Sequence, residues 1–317
     1  MAAGHGDEGE RARDDDAARA AWLYYRGGMR QDRIAQEMGI SRQRVQRLVA
    51  RAVQEGLIRV RIEHPIAACE EMQLALCERY GIGIARVAPG LGGAGDPIRA
   101  IAPIAAQLLE RMLAEETPQV IGLGCGRSMR AMADEVMSMD GARHRLVSLI
   151  GNVAPDGSAG FHEALMRVSE RTGAAPHLLP VPLLVREEAE VTQYQAMPHV
   201  RQARTLAKAA NAAIVGVGVV VTPPPLIGSL SPEELEGLRA AGGVGELCGH
   251  VFDAEGRYLD HPINNRMLSM RLPLGQTGAI GLAAGPEKVA PLRAALRGGL
   301  LQGLITDEET AAALLKD

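Results

Sequence analysis

The chain has 317 residues, 34 Lys and Arg against 38 Asp and Glu, a net charge of −4 and four cysteines. That length allows two domains, and neither a signal peptide nor an apolar run of about 18 residues marks it for export or a membrane. Cys69, Cys77, Cys125 and Cys248 have no CxxC spacing and no neighbouring histidines, which points away from a zinc site or a disulfide framework and fits a reducing cytoplasm.

Residues 1–15 are polar and acidic, the composition of a disordered tail. Ala17–Tyr25 reads as a first helix, with Trp22, Leu23 and Tyr25 available to pack, and Gly27-Gly28 ends it. Residues 30–56 then read as two short amphipathic helices. Ile34, Ala35 and Met38 fall at helical spacing in the first, Gly39 permits a sharp turn, and Ser41 stands where an N-cap is wanted. Val45, Leu48, Val49 and Ala52 give the second helix one apolar face. Arg42, Gln43, Arg44, Gln46, Arg47 and Arg51 lie off that face, the layout of a helix-turn-helix whose second helix enters the major groove of DNA.

Charge agrees with this layout. From Arg26 to Arg61 nine arginines face Asp32, Glu37 and Glu55, so a +6 module is carried on an acidic body. The DNA-contact set read here is Gln31, Ser41, Arg42, Gln43, Arg44, Arg47 and Arg51. Gln43 and Arg44 are the expected base readers, and Arg42, Arg47 and Arg51 the expected phosphate contacts. Leu57–Ile62 alternates apolar and basic residues, either the wing of a winged variant or the first strand of a linker. The expected domains are a tail over 1–15, a helix-turn-helix domain over 16–62, a linker helix over 63–80 and an effector-binding domain over 81–317.

From Gly81 the pattern changes. Short apolar runs end in glycine-rich loops, each followed by a helical stretch: Val120–Gly124 then Ser128–Met137, Leu146–Ile150 then a helix from Phe161, Ala213–Gly218 then Ser231–Ala241, and Ala279–Ala283 then Pro286–Leu296. Leu304-Ile305-Thr306 precedes a last short helix. This alternation predicts an open α/β sheet with mostly parallel strands, whose ligands sit outside the carboxyl ends of the strands. The loop Gly122–Ser128 suits an anion at a helix start, with Arg127 beside it and Ser128 as a cap. A dinucleotide fingerprint and a plain tight turn are its alternatives; the third glycine of the fingerprint is misplaced.

Gly151–Ser158 is a second polar loop, suited to a hydroxylated ligand. Asp253 serves either the turn of a hairpin at Ala254–Gly256 or a ligand. Lys288 stands at a helix start, where a cation opposes the dipole, and is read either as the partner of an anion or as a solvated surface residue. Catalytic chemistry is thin: Cys125 has no histidine placed to activate it, His162-Glu163 lacks the second histidine of a metalloprotease helix, and no nucleophile elbow is present. No catalytic residue, metal or cofactor is expected.

The stretches AWLYYRGGMRQDRIAQEMGISRQRVQRLVARAVQEGLIRVRI, IGLGCGRSM, SLIGNVAPDGSAGFHEALMRVSERTGA, GGVGELCGHVFDAEGRYLDHPINNRMLSM and GPEKVAPLRAALRGGLLQGLITDEETAAALL together resemble the SorC family of bacterial sugar-responsive transcriptional regulators, over roughly residues 15–317. The resemblance implies an N-terminal DNA reader, a C-terminal sugar-binding domain related in fold to sugar-phosphate isomerases, dimers or tetramers on palindromic operators, and a sugar, polyol or sugar-phosphate effector. Carried over by position, the effector site comprises Gly124, Cys125, Gly126, Arg127, Ser128, Gly151, Asn152, Gly216, Gly218, Asp253 and Lys288. Cys125 and Arg127 stand where relatives often carry other residues, so ligand identity does not transfer. The segments SLIGNVAPDGSA and DHPINNR most resemble members tied to polyol catabolism. The expectation is a cytoplasmic, homo-oligomeric, ligand-controlled regulator; the rival is an isomerase-like enzyme that has gained a DNA-binding head.

Overall fold

The computed structural model describes residues 14–58, 66–92, 95–153, 163–220, 230–274 and 278–316. The chain divides into two compact units, Met1–His64 and Pro65–Asp317. In the first, helix α1 runs over residues 14–21 and continues as a π-helical turn at Trp22–Arg26. Helix α2 (Gln31–Met38) stops at Gly39, which takes the left-handed conformation at φ 64° that only glycine adopts without strain. Two residues later Ser41 accepts a hydrogen bond from the Arg44 amide at 3.3 Å and starts α3 (Arg42–Gln54). Ala20, Ile34, Val45 and Val49 form the core where the helices meet, while Ala17, Ala21 and Ala52 form a second patch.

Two expectations for this unit change. Trp22 and Tyr25 do not pack: they are 65% and 46% exposed, and of the three bulky residues only Leu23 touches the core. The first helix lays its alanines, not its rings, against its partners, and small side chains permit close backbone approach. The first helix also begins before Ala17, reaching back to residue 14. Leu57 and Ile58 turn back on α3, their amides donating to the Ala52 carbonyl. The rest of the expected wing, and the tail as far as residue 13, lie outside the described residues.

The second unit begins with α4 (Ala67–Tyr80), the helix expected as a linker. It is built into the α/β body: Cys69 and Leu76 are buried, Arg79 donates to the Leu315 carbonyl at 3.0 Å, and Tyr80 to that of Leu314 at 2.9 Å. Then follow β1 (Ile84–Ala88), α5 (Pro97–Ala114), β2 (Val120–Leu123), α6 (Arg127–Glu135), β3 (Arg145–Val153), α7 (Glu163–Thr172) and β4 (Ala175–Pro182). The chain continues through α8 (Glu188–Ala196), α9 (Pro198–Lys208), β5 (Ala212–Gly216), β6 (Gly218–Val219), α10 (Pro232–Ala240), β7 (Gly245–Leu247), β8 (His250–Phe252) and α11 (Pro262–Asn265). It ends with β9 (Ala279–Leu282), a 3-10 turn at Pro286–Lys288, α12 (Val289–Arg297), β10 (Gly303–Asp307) and α13 (Glu308–Leu315).

Seven strands form one parallel sheet in the order β1-β10-β9-β5-β2-β3-β4, and β6-β7-β8 form a small antiparallel sheet. Alternate residues of one strand enter different cores. Ala213 and Val215 of β5 join one cluster, whereas Ile214 joins the other. Both faces of the sheet are therefore covered, which is why the strands read as continuous apolar runs. β2 and β5 lie side by side, yet the chain leaves β2 toward β3 and β4 and leaves β5 toward β9. That reversal opens a crevice at their carboxyl ends.

Candidate functional site

The crevice between β2 and β5 gathers most of the residues singled out from the sequence. The loop after β2 runs over Gly124-Cys125-Gly126 into α6. The Gly124 amide donates to the Ile214 carbonyl at 2.9 Å, and a Cβ at Gly124 would stand 3.1 Å from the Val215 Cα, so only glycine brings the loop this close. Gly126 takes φ 110° as it turns into α6, whose first residues are Arg127 and Ser128. Opposite, a Cβ at Gly216 would lie 3.2 Å from the Cys125 carbonyl oxygen, so the ends of the two strands nearly touch. Lys288 approaches from the 3-10 turn after β9, and its Nζ donates to the Val217 carbonyl at 2.9 Å. Burial lowers its pKa, against the opposing charges of Glu287 and Glu246.

One residue of this group escaped the sequence reading. Glu246, the middle residue of β7, is 2% exposed, and its carboxylate fills the space that the missing side chain of Gly218 leaves open. The Gly249 amide donates to its Oε2 at 2.7 Å. Burial pushes the Glu246 pKa up to about 7, countered by that amide and by the charge of Lys288. The signal was available: an acid inside the apolar, glycine-rich stretch Gly243–Phe252 needs a reason to be there. Burial and the nearby Glu246 also raise the pKa of Cys125, which keeps it a neutral thiol and a poor nucleophile.

Other expected members fall elsewhere. Gly151 and Asn152 belong to β3, which runs on to Val153 through shifts in its register with β4; they are not a loop. Gly151 is glycine because a Cβ there would meet the Pro182 and Val181 carbonyls. The loop expected beyond them, from residue 154, lies outside the described residues. Asp253 does close the expected hairpin: Oδ1 accepts from the Glu255 and Arg257 amides at 3.0 and 2.8 Å, and Oδ2 from Arg257 Nε at 3.0 Å. Its carboxylate is thus engaged by its own turn. A cavity of about 390 Å³ opens beside the crevice rather than in it, at the ends of β1 and β10, with Gly90, Leu91, Asp307 and Thr310 in its lining and Gly285 and Pro286 as the wall shared with the turn that carries Lys288.

Glu246 offers acceptors, whereas Lys288, Arg127 and the backbone amides at the start of α6 offer positive charge. That combination suits a small polyhydroxylated molecule with an anionic end. Among the described residues no group of three or more His, Cys, Asp or Glu is placed to hold a metal ion, all four cysteines are free, and no helix is long and apolar enough to cross a membrane.

Of the expected DNA-contact residues in the first unit, Ser41, Arg42, Gln43, Arg44 and Arg47 are exposed, whereas Gln31 and Arg51 are half-buried. Arg42 pairs with Asp32 at 3.5 Å across the turn.

The Sugar-bind family, which describes a sugar-binding domain, matches residues 64–316, and the MarR family matches residues 20–65. The chain is 33% identical over 307 residues to the erythritol catabolism regulatory protein EryD of Brucella abortus (strain 2308), covering 96% of this chain and 97% of that protein. It is 32% identical over 316 residues to the transcriptional regulator LsrR of Klebsiella pneumoniae, covering 96% and 94%. The full-length sorbitol operon regulator SorC from Klebsiella pneumoniae superposes with a TM-score of 0.72 at 25% identity, covering 95% of this chain and 98% of that one.

Proposed function

The chain belongs to the Sugar-bind family and, through relatives that match both of its halves, to the SorC family of transcriptional regulators, and from that premise we propose that it controls a carbohydrate or polyol catabolic operon in the cytoplasm. Its helix-turn-helix binds operator DNA, and a small sugar, polyol or sugar phosphate held at the β2–β5 crevice sets operator affinity. It acts by binding, not by turnover. The observation that carries this reading is the meeting of Glu246, Lys288 and the Gly124–Ser128 loop at the switch point of the sheet. One recognition helix reads too few base pairs for genomic selectivity, so the active form is at least a dimer.

Glu246 also supplies the one feature in favour of an isomerase-like enzyme, a buried carboxylate that titrates near neutrality. Product formation from sugar phosphates by the purified chain decides between the two. For the regulator, thermal shift of the full chain against sugars, polyols and their phosphates identifies the effector, because a ligand selective for the folded state raises the melting temperature. Operator affinity is then titrated with and without that compound for the parent and for Lys288→Ala. The variant is expected to bind operator normally and ignore the compound. A Lys288→Ala protein that responds like its parent refutes the site.

A further inference from the structure

Helix α3 turns 100° per residue, which sorts its polar side chains by direction. Val45, Leu48, Val49 and Ala52 mark the side against the core. Gln43 and Arg47, two residues before and after Val45, point to the opposite side. Arg44 and Arg51 stand between, on one flank, and the protein itself provides both with carboxylates. Arg44 Nη2 donates to Asp16 Oδ2 at 3.4 Å, and Arg51 Nη2 to Asp14 Oδ1 at 2.8 Å. Glu55 accepts from Arg51 Nε, also at 2.8 Å. Asp14 and Asp16 sit in helical residues that pack no side chain into the module's core, so neither carboxylate has a role in the packing.

We propose that Asp14 and Asp16 stand in for DNA phosphates on the Arg44–Arg51 flank, and that docking on a duplex exchanges these carboxylates for backbone phosphates. The proposal rests on the DNA-binding reading above and refines it. Arg44, expected from the sequence to read a base, becomes a phosphate contact, and Arg47 joins Gln43 as a groove reader. The side chains of both ion pairs are partly solvated, at 55% and 48% exposure for Arg44 and Asp16 and 29% and 37% for Arg51 and Asp14. Such pairs are weak enough to be exchanged. Once displaced, the two carboxylates remain beside the phosphates and repel them, so they act as an internal competitor that lowers affinity for any duplex. A bacterial regulator gains from this, since non-specific sites vastly outnumber operators.

The test uses the full chain, a mixed-sequence duplex and fluorescence anisotropy over a series of KCl concentrations. Three single variants each remove one charge: Asp14→Asn, Asp16→Asn, and Asp15→Asn as the control, because no ion pair of Asp15 with another described residue is present. Asp14→Asn and Asp16→Asn are expected to bind about two- to fivefold tighter at low salt, with a salt slope steeper by about one for each carboxylate removed. Asp15→Asn is expected to change binding by less. Hydrogen exchange of the α2 and α3 backbone amides verifies that the head remains folded. Equal gains for all three variants reduce the effect to bulk charge and overturn the proposal. Unchanged or weaker binding for Asp14→Asn and Asp16→Asn overturns it as well, by showing that the carboxylates only brace the arginines. A parent chain that binds no duplex overturns the DNA-binding reading itself and takes this proposal with it.

Discussion

Replacing Glu246 by Gln removes a charge that folding pays to bury. In the folded chain its pKa rises from the ordinary 4.5 to about 7, chiefly because burial strips water from the carboxylate. A carboxyl group raised in this way leaves stability intact below pH 4.5 and erodes it as pH climbs to about 7, since the unfolded chain gives up the proton first. The loss accumulates at about 1.4 kcal/mol per pH unit and reaches about 3 kcal/mol at neutral pH and above. Glutamine keeps an oxygen for the Gly249 amide and does not titrate. Glu246→Gln should therefore equal its parent near pH 4.5 and exceed it by about 3 kcal/mol near pH 8, a gain of roughly 6–10 °C in the melting temperature of a unit this size. Calorimetric scans of both proteins across this range measure it. Other titrating groups cancel in the difference between the two curves. A difference that stays flat with pH would mean that Glu246 is solvated or fully paired, and the physical account of the crevice would fail. The same variant should lose its response to effector, because the charge that costs stability is the one a ligand hydroxyl can compensate.

His250 carries the opposite dependence. Burial, with Arg271 and Arg204 adding to it, lowers its pKa from 6.5 to about 4, so its contribution is complete above pH 6.5 and is lost as pH falls toward 4, to about 3 kcal/mol. Among the described residues its Nδ1 has no partner, its Nε2 lies a long 3.4 Å from the Ser269 carbonyl, and its ring packs edge-on to Tyr258 at 5.8 Å, so His250→Phe, which gives up only that long contact, should be tolerated and should flatten acid unfolding followed by circular dichroism; an unchanged acid limb contradicts this. In the DNA head, Ser41→Ala removes the oxygen that caps α3 and should cost about 1 kcal/mol, read from the urea midpoint of α2 and α3 amide protection in hydrogen exchange, whereas Ser41→Asp should restore the cap. Equal midpoints for Ser41→Ala and the parent would show that the cap does not hold the turn.

Local rules carried much of the reading. Gly39 and Ser41 are punctuation with fixed backbone consequences, and the +6 stretch is a sum over neighbours. The apolar runs at 120–124, 213–218 and 279–283 announced β2, β5 and β9 because a strand buried on both faces has no alternation to obscure it. What the sequence hid depends on pairing between distant segments. Gly151 resembled a loop residue because its reason for being glycine is the approach of Pro182 on the neighbouring strand. Glu246 was passed over because its role exists only once Gly218 vacates the space beside it and Lys288 arrives from a turn some forty residues on. Trp22 misled for a simpler reason: a large apolar ring is ordinarily a core residue, but here alanines had taken the close contacts.

The pairing of β1 with β10 sets an order of events during synthesis. Ile84 finds its strand partner at Gly303, and the bond from Arg79 to the Leu315 carbonyl joins residues 236 apart in the chain. Until the last strand and helix leave the ribosome, one flank of β1 and the side of α4 that meets α13 have nothing to cover them, whereas the head, whose apolar clusters draw only on residues 17–58, is already free to fold. Nascent chains then pass through a stage in which a finished DNA reader is attached to an unclosed sheet that can neither hold an effector nor answer to one, with a bare strand edge open to wrong partners. Premature termination late in this reading frame would produce DNA readers cut off from effector control, from a fragment lacking only its final strand and helix.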